Sequence, residues 1–520
     1  MSTLDPASRP GTTESRVSRR RLLTIAAIGG SAALLAACGG GGTAAAPTSA
    51  PAGAAAGAAA TKPAAAGAAA PTTAPAAGAA AAATKPAAGP TTAPAAGAAG
   101  APTAEPTRAV LSAGSGAIEV RWQNRNDDKA IKLFNDAVEK YFIPNNKNVK
   151  VTIEPSPSGR DEKIIAQFVA GTAPDVFESW TDNVTLFADK GQVQDVQRYV
   201  DRDKMDISDF FAWQWKDFVL PSQIRFGMPK YVNVMTLWVN KDMFQKKGVE
   251  LPTKDWNHDK YREAAIKLTE KDGDKVKTYG VRIPMDSWDR FWYSVEMWGG
   301  TVRDINDDTK CTLDEQKAQD ALEWSRKLTW DDKAMIVGTA GLPQVAGDRF
   351  FNNQWAMQEE GFYPFQMARN NATIKMNWMW MHIPTGPVKR RVLGTTDGFV
   401  QWKNSKHPEE AWSLMKFLAG PELQEVQVQA TGLLPIRTSV LDKWKKIVLD
   451  TYPELKDSNL DVGPEAMQMG YPGNRQLFKR DAAAREIIVP ALQKVYDNPG
   501  TPTSYFKEVA AQVTKDQKNG

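Results

Sequence analysis

The sequence predicts an α/β protein with mostly parallel sheets, and three observations carry that expectation. Short β-branched and aromatic runs recur at 118–122, 148–154 and 174–177. Helical stretches of about 10–15 residues separate them, the alternation that builds parallel sheets. A longer run at 227–248, GMPKYVNVMTLWVNKDMFQKKG, is apolar on both faces. Val232, Val234, Thr236 and Trp238 alternate there with Tyr231, Asn233, Met235, Leu237 and Val239, as in a strand covered on both sides. Finally, 520 residues exceed what one hydrophobic core organises, so more than one domain is expected.

Composition narrows the function. The 64 basic and 60 acidic residues leave a formal charge of +4, without the concentrated basic face of a nucleic-acid binder. Cys38 and Cys311 are the only cysteines, and His258, His382 and His407 lie far apart. Neither a disulfide framework nor a metal-ligand spacing is present, so no metal and no cofactor are expected.

The N-terminus reads as an address. Ser18-Arg19-Arg20-Arg21-Leu22-Leu23 fits a twin-arginine signal. The apolar stretch 22–37 is shorter than the roughly 20 residues of a membrane span. It ends in Leu35-Ala36-Ala37-Cys38-Gly39, the pattern of a bacterial lipoprotein cleaved before the cysteine. Residues 1–37 are thus expected to be a signal peptide and Cys38 the lipidated first residue, with Cys311 unpaired and structural. Residues 38–117 are an Ala/Pro/Gly/Thr-rich linker in which PTTAPAAGAA occurs at 71–80 and again at 90–99. With little apolar bulk and frequent prolines it is expected to stay unfolded, reaching roughly 50 Å as a coil of about 75 residues.

The folded part begins near Ile118 with a strand at 118–122. An amphipathic helix follows over 128–141, with Ile131, Phe134, Val138 and Tyr141 inward. A strand at 148–154 and a helix at 161–170 come next, and GTAPDVF (171–177) turns into a third strand. Ligands of open α/β sheets bind beyond the carboxyl ends of the strands, which places Glu178, Ser179, Trp180, Thr181 and Asp182 at a cleft floor. An acidic group beside an indole suits a sugar, whose hydroxyls bond the carboxylate while its C–H face lies on the ring. The same tryptophan reads equally as a core plug. After the 227–239 strand, Asn240 caps a helix at 241–247 and Gly248 takes the left-handed conformation that ends it. WDRFWYSVEMWGG (288–300) is either one core helix face or a cleft wall; residues 315–330 form an amphipathic helix.

Several of these blocks resemble one family. GMPKYVNVMTLWVNKDMFQKKGV, GTAPDVF, FADKGQVQDVQRY (187–199), IPTGP (383–387), SKHPEEAWSLMKF (405–417), PELQ (421–424) and TGLLPIR (431–437) are similar to segments of the extracellular solute-binding family 1. These are periplasmic-binding-protein type 2-like proteins that feed ABC importers, and the resemblance covers roughly Ile118 to the C-terminus. It implies two lobes, each a mostly parallel sheet flanked by helices, joined by hinge crossings. The expected lobes are 118–230 plus 398–437, and 231–397 plus 438–520. The chain departs from the family pattern in lacking Gly-Lys near 350–357 and in carrying Trp402 where a smaller residue is usual.

The resemblance implies a substrate-binding component that captures a sugar or oligosaccharide between the lobes and delivers it to permease subunits. It also implies a monomer held at the membrane outside the cytoplasm by its lipid. Expected ligand-binding residues are Glu178, Trp180, Asp182, Tyr231, Asn233, Trp238, Trp292, Gly361, Tyr363, Trp380 and Asp397, with Trp298 packing and His407 only starting a helix. No phosphate loop, HExxH or GxSxG pattern marks an enzyme, so no catalytic residue is expected. A non-sugar solute (polyol, glycerol phosphate or polyamine) and a secreted carbohydrate-active hydrolase are the alternatives.

Overall fold

The computed structural model describes residues 109–110 and 116–519, apart from 157–159, 340–341, 343–344, 346–347, 372–375 and 474–475. The signal peptide, Cys38 and most of the linker lie outside the described residues. Among the described residues there are twelve strands: β1 (Ala109–Val110), β2 (Ile118–Asn124), β3 (Val149–Pro155), β4 (Val176–Trp180), β5 (Met228–Asn240), β6 (Glu270–Asp272), β7 (Lys275–Arg282), β8 (Met335–Ile336), β9 (Trp355–Gly361), β10 (Trp378–Met381), β11 (Val392–Gln401) and β12 (Pro472–Gly473).

Two long strands organise this sheet. The order is β1-β3-β2-β4-β11-β5-β9-β7-β6. β2 runs parallel to both β3 and β4, and β7 runs parallel to β9. β5 belongs to both halves. Its first part, Met228 to Val234, pairs with β11, while Met235 to Val239 pair with β9 and Leu237 to Asn240 with β10. β11 does the same in reverse, pairing with β12 at Val392 and Leu393 and with β4 from Asp397 to Gln401. Near-continuous apolarity on β5 follows from this double duty, since all but Tyr231 of its thirteen residues are buried.

The apolar cores divide at the same two strands. One cluster gathers Trp122, Phe134, Val176, Met228, Phe399, Trp412 and Ile436, and a second, on the other face, gathers Phe177, Phe187, Phe218 and Val400. A larger cluster runs from Val232 through Leu393 and on from Val428 to Val513. A third passage joins them: Val232 N–H donates to the Leu434 carbonyl, and Phe210 bridges Arg437.

Local signals set the helix ends. Asn240 accepts from the Met243 N–H, and Gly248 ends that helix at φ +62°. Asp127 caps the helix Asp128–Ala137, accepting from Ala130 N–H. The expected inward position of Tyr141 is corrected. A π-helical turn, Val138–Phe142, follows Ala137 and widens the spiral, so Phe142 is buried while Tyr141 is 39 % exposed. The helix Pro408–Leu418 turns one face inward, with Ala411, Leu414, Met415 and Leu418 all buried.

Candidate functional site

The paired strands bring polar side chains onto one face. Asp397 on β11 is the register partner of both Trp180 on β4 and Tyr231 on β5. Directly opposed residues share a face of a sheet. Tyr231 donates its hydroxyl to Asp397 Oδ2 at 2.7 Å, and Arg125, just after β2, donates Nη1 to the same oxygen at 2.6 Å. The Arg125 guanidinium also lies over the Trp180 indole, 4.9 Å from its centroid. Beneath them, Glu178 Oε2 accepts from the Arg125 backbone N–H at 3.0 Å and from Lys230 Nζ at 2.6 Å. Lys230 reaches this face because β5 bulges there: Tyr231 pairs with Asp397 and Pro229 with Gly398, leaving Lys230 as the extra residue.

The track continues into the other half. Asn233, two residues along β5 from Tyr231, accepts the Phe362 N–H at 2.9 Å and shares a side-chain hydrogen bond with Tyr363. The Tyr363 ring fills the space where a side chain on Gly361 would stand. Glu360 accepts the Gly361 N–H at 3.0 Å and Arg290 Nη2 at 2.8 Å, with Arg282 Nη1 at 3.8 Å. Burial drives the Glu360 carboxyl upward, but Arg290 and Arg282 outweigh it and hold the pKa below the usual range. Burial, with Asp397 beside it, keeps Tyr231 protonated far above the ordinary tyrosine range, and burial with Glu360 does the same for Tyr363.

Seven of the expected residues therefore lie along one track: Glu178, Trp180, Tyr231, Asn233, Gly361, Tyr363 and Asp397. Three tryptophans lie elsewhere. Trp238 has the opposite parity on β5, is fully buried and meets Phe350 edge-on at 5.7 Å, its Nε1 donating to the Gly361 carbonyl. Trp380, the register partner of Trp238, is fully buried 4.5 Å from Phe362. Trp292 is 2 % exposed among Trp288, Phe291 and Phe478. Asp182 lies at the start of the helix Thr181–Asp189, and its side chain is outside the described residues. Glu178 and Trp180 close β4 itself rather than following it.

Sequence reasoning missed Arg125, Lys230, Arg290 and Glu360. Among the described residues, no group of three or more His, Cys, Asp or Glu could hold a metal ion, and no helix is long and apolar enough to cross a membrane.

Two half-sheets threaded by shared strands, with polar and aromatic side chains gathered where those strands pass, define a two-lobe binding protein. Residues 131–425 match the bacterial extracellular solute-binding protein family, more than half of the chain, and the chain belongs to that family. Its place is accordingly outside the cytoplasm. A Brucella abortus relative, described as a binding protein, is 22 % identical over 409 residues, 78 % of this chain and 94 % of its own. An ABC substrate-binding protein from Listeria monocytogenes, solved with cycloalternan, superposes with a TM-score of 0.64 at 22 % identity, covering 77 % of this chain and 99 % of its own. The cyclic α-maltosyl-1,6-maltose binding protein of Arthrobacter globiformis gives 0.63 at 17 % identity, covering 78 % and 100 %.

Proposed function

We propose that this protein is the substrate-binding component of an ABC importer and captures a neutral sugar or oligosaccharide between its lobes. The observation that carries this reading is the track from Trp180 and Arg125 through Asp397, Tyr231 and Asn233 to Tyr363. It offers hydroxyl-bonding groups from both half-sheets around the two passing strands, with aromatic side chains among them. A ligand touching both halves stabilises the closed arrangement by its differential affinity, and closure presents the protein to the permease. The related protein solved with cycloalternan and the one named for binding cyclic α-maltosyl-1,6-maltose support the ligand class.

The charges of the track favour binding over catalysis. In the N-terminal half each carboxylate is paired with a cation, Glu178 with Lys230 and Asp397 with Arg125, which holds them in place as hydrogen-bond acceptors. The lobes divide at 230/231, 397/398 and 437/438. Cys38 carries the lipid, export follows the twin-arginine signal, the linker gives reach from the membrane, and the protein acts as a monomer.

The test is a thermal-shift screen against maltose, maltotriose, cyclic gluco-oligosaccharides, polyols, glycerol phosphate and polyamines. A ligand at 100 times its dissociation constant adds about 2.7 kcal/mol, a rise of a few degrees. A rise with neutral sugars is expected. A rise confined to glycerol phosphate or polyamines overturns the ligand class.

A further inference from the structure

Trp180 is the residue that sequence reasoning assigns to stacking on a sugar, yet its ring is already engaged. The Arg125 guanidinium covers one face of the half-buried indole. Its placement is fixed by three hydrogen bonds, one to the guanidinium itself and two behind it. Nη1 is anchored on Asp397, the Arg125 backbone N–H is anchored on Glu178, and Asp397 is itself fixed by the Tyr231 hydroxyl. The Arg125 side chain is only 7 % exposed. Its Nε and Nη2 nevertheless hydrogen-bond no residue among those described. A guanidinium carries five N–H donors in a rigid fork, so most of this fork remains available. Such a fork, oriented by an ion pair and an aromatic face, is preorganised to donate paired hydrogen bonds to vicinal oxygens of a ligand.

We infer that Arg125 is a ligand-gripping residue of the N-terminal half, and that Trp180 is a positioning residue which carries Arg125 instead of stacking on the ligand. This inference rests on the sugar-binding reading.

A double-mutant cycle measured by calorimetry separates the two roles for Trp180, using the full chain and the gluco-oligosaccharide that gives the largest thermal shift. Arg125→Ala weakens binding about tenfold to a hundredfold, the range of a lost charge-assisted hydrogen-bond pair. Trp180→Ala in the wild-type background weakens it about tenfold, because the fork loses its platform. In the Arg125→Ala background the same substitution changes affinity by no more than about twofold. An undiminished tenfold loss in that background overturns the inference and returns Trp180 to direct stacking. Should Arg125→Ala fail to fold, Arg125→Lys keeps a cation opposite Asp397 but removes the fork. A loss of about tenfold with an unchanged melting point supports the inference, and unchanged affinity refutes it. A wild-type chain that responds to no sugar overturns the ligand reading itself, a result distinct from either outcome of the cycle.

Discussion

Replacing Glu359 with glutamine is expected to stabilise the protein at neutral and alkaline pH. Glu359 alternates on β9 with Glu360, is 2 % exposed, and accepts the hydroxyls of Tyr261 at 3.1 Å and Tyr293 at 2.5 Å. Burial outweighs both hydrogen bonds and the nearby Arg290, raising its pKa from 4.5 to about 7. The sign follows from proton binding. Between pH 4.5 and 7 the native chain holds a proton that the unfolded chain has lost, so this group's contribution falls as pH rises through that window. Above pH 7 the ionised carboxylate costs about 3 kcal/mol, from about 1.4 kcal/mol per pKa unit. Glu359→Gln keeps the shape and an acceptor for one tyrosine while removing the charge. Denaturant melts at pH 8 are expected to show the variant more stable by about 2–3 kcal/mol, with the gap closing near pH 4.5. A gap of the same size at both pH values would refute the reasoning, because a lost or gained hydrogen bond does not titrate.

Other substitutions test separate parts of the account. Gly361→Ala drives a methyl into the Tyr363 ring, so calorimetry is expected to show binding weakened about tenfold, with a displaced Tyr363 as the cause. Lys230→Met strands the fully buried Glu178 carboxylate and is expected to cost about 3–5 kcal/mol by chemical denaturation, whereas Lys230→Met with Glu178→Leu recovers most of it. Trp238→Ala empties a core position and is expected to destabilise by about 3–5 kcal/mol while the folded fraction keeps its affinity; a selective loss of affinity would return Trp238 to the site.

Much of the fold was legible because period and punctuation agree. The alternation at 148–154, the Asn240 cap and the Gly248 terminus all act through residues within a few positions of one another. What failed was long-range or concealed. Tyr141 lost its phase to the π-helical turn Val138–Phe142, which runs up to Pro144, and a proline there does not by itself tell a widened turn from a helix end. Trp180 and Trp238 are the same residue type on strands, and only parity relative to Asp397 places one on the track and the other among Phe350 and Phe351. Arg125 sits in a polar run, Arg125 to Lys129, indistinguishable by composition from a solvated turn. Lys230 joined the site through a bulge, and Arg290 met Glu360 across 70 positions of chain, contacts that no local pattern encodes.

A binding protein of this kind holds its neutral sugar between the lobes and releases it intact. The most direct measurement equilibrates the full chain with a mixture of neutral oligosaccharides, sugar phosphates and polyamines, removes unbound material, denatures the protein and identifies what is released by mass spectrometry. One unmodified neutral sugar in near one-to-one amount is expected. Recovery of cleaved fragments, or of a phosphorylated or cationic compound in its place, would contradict it.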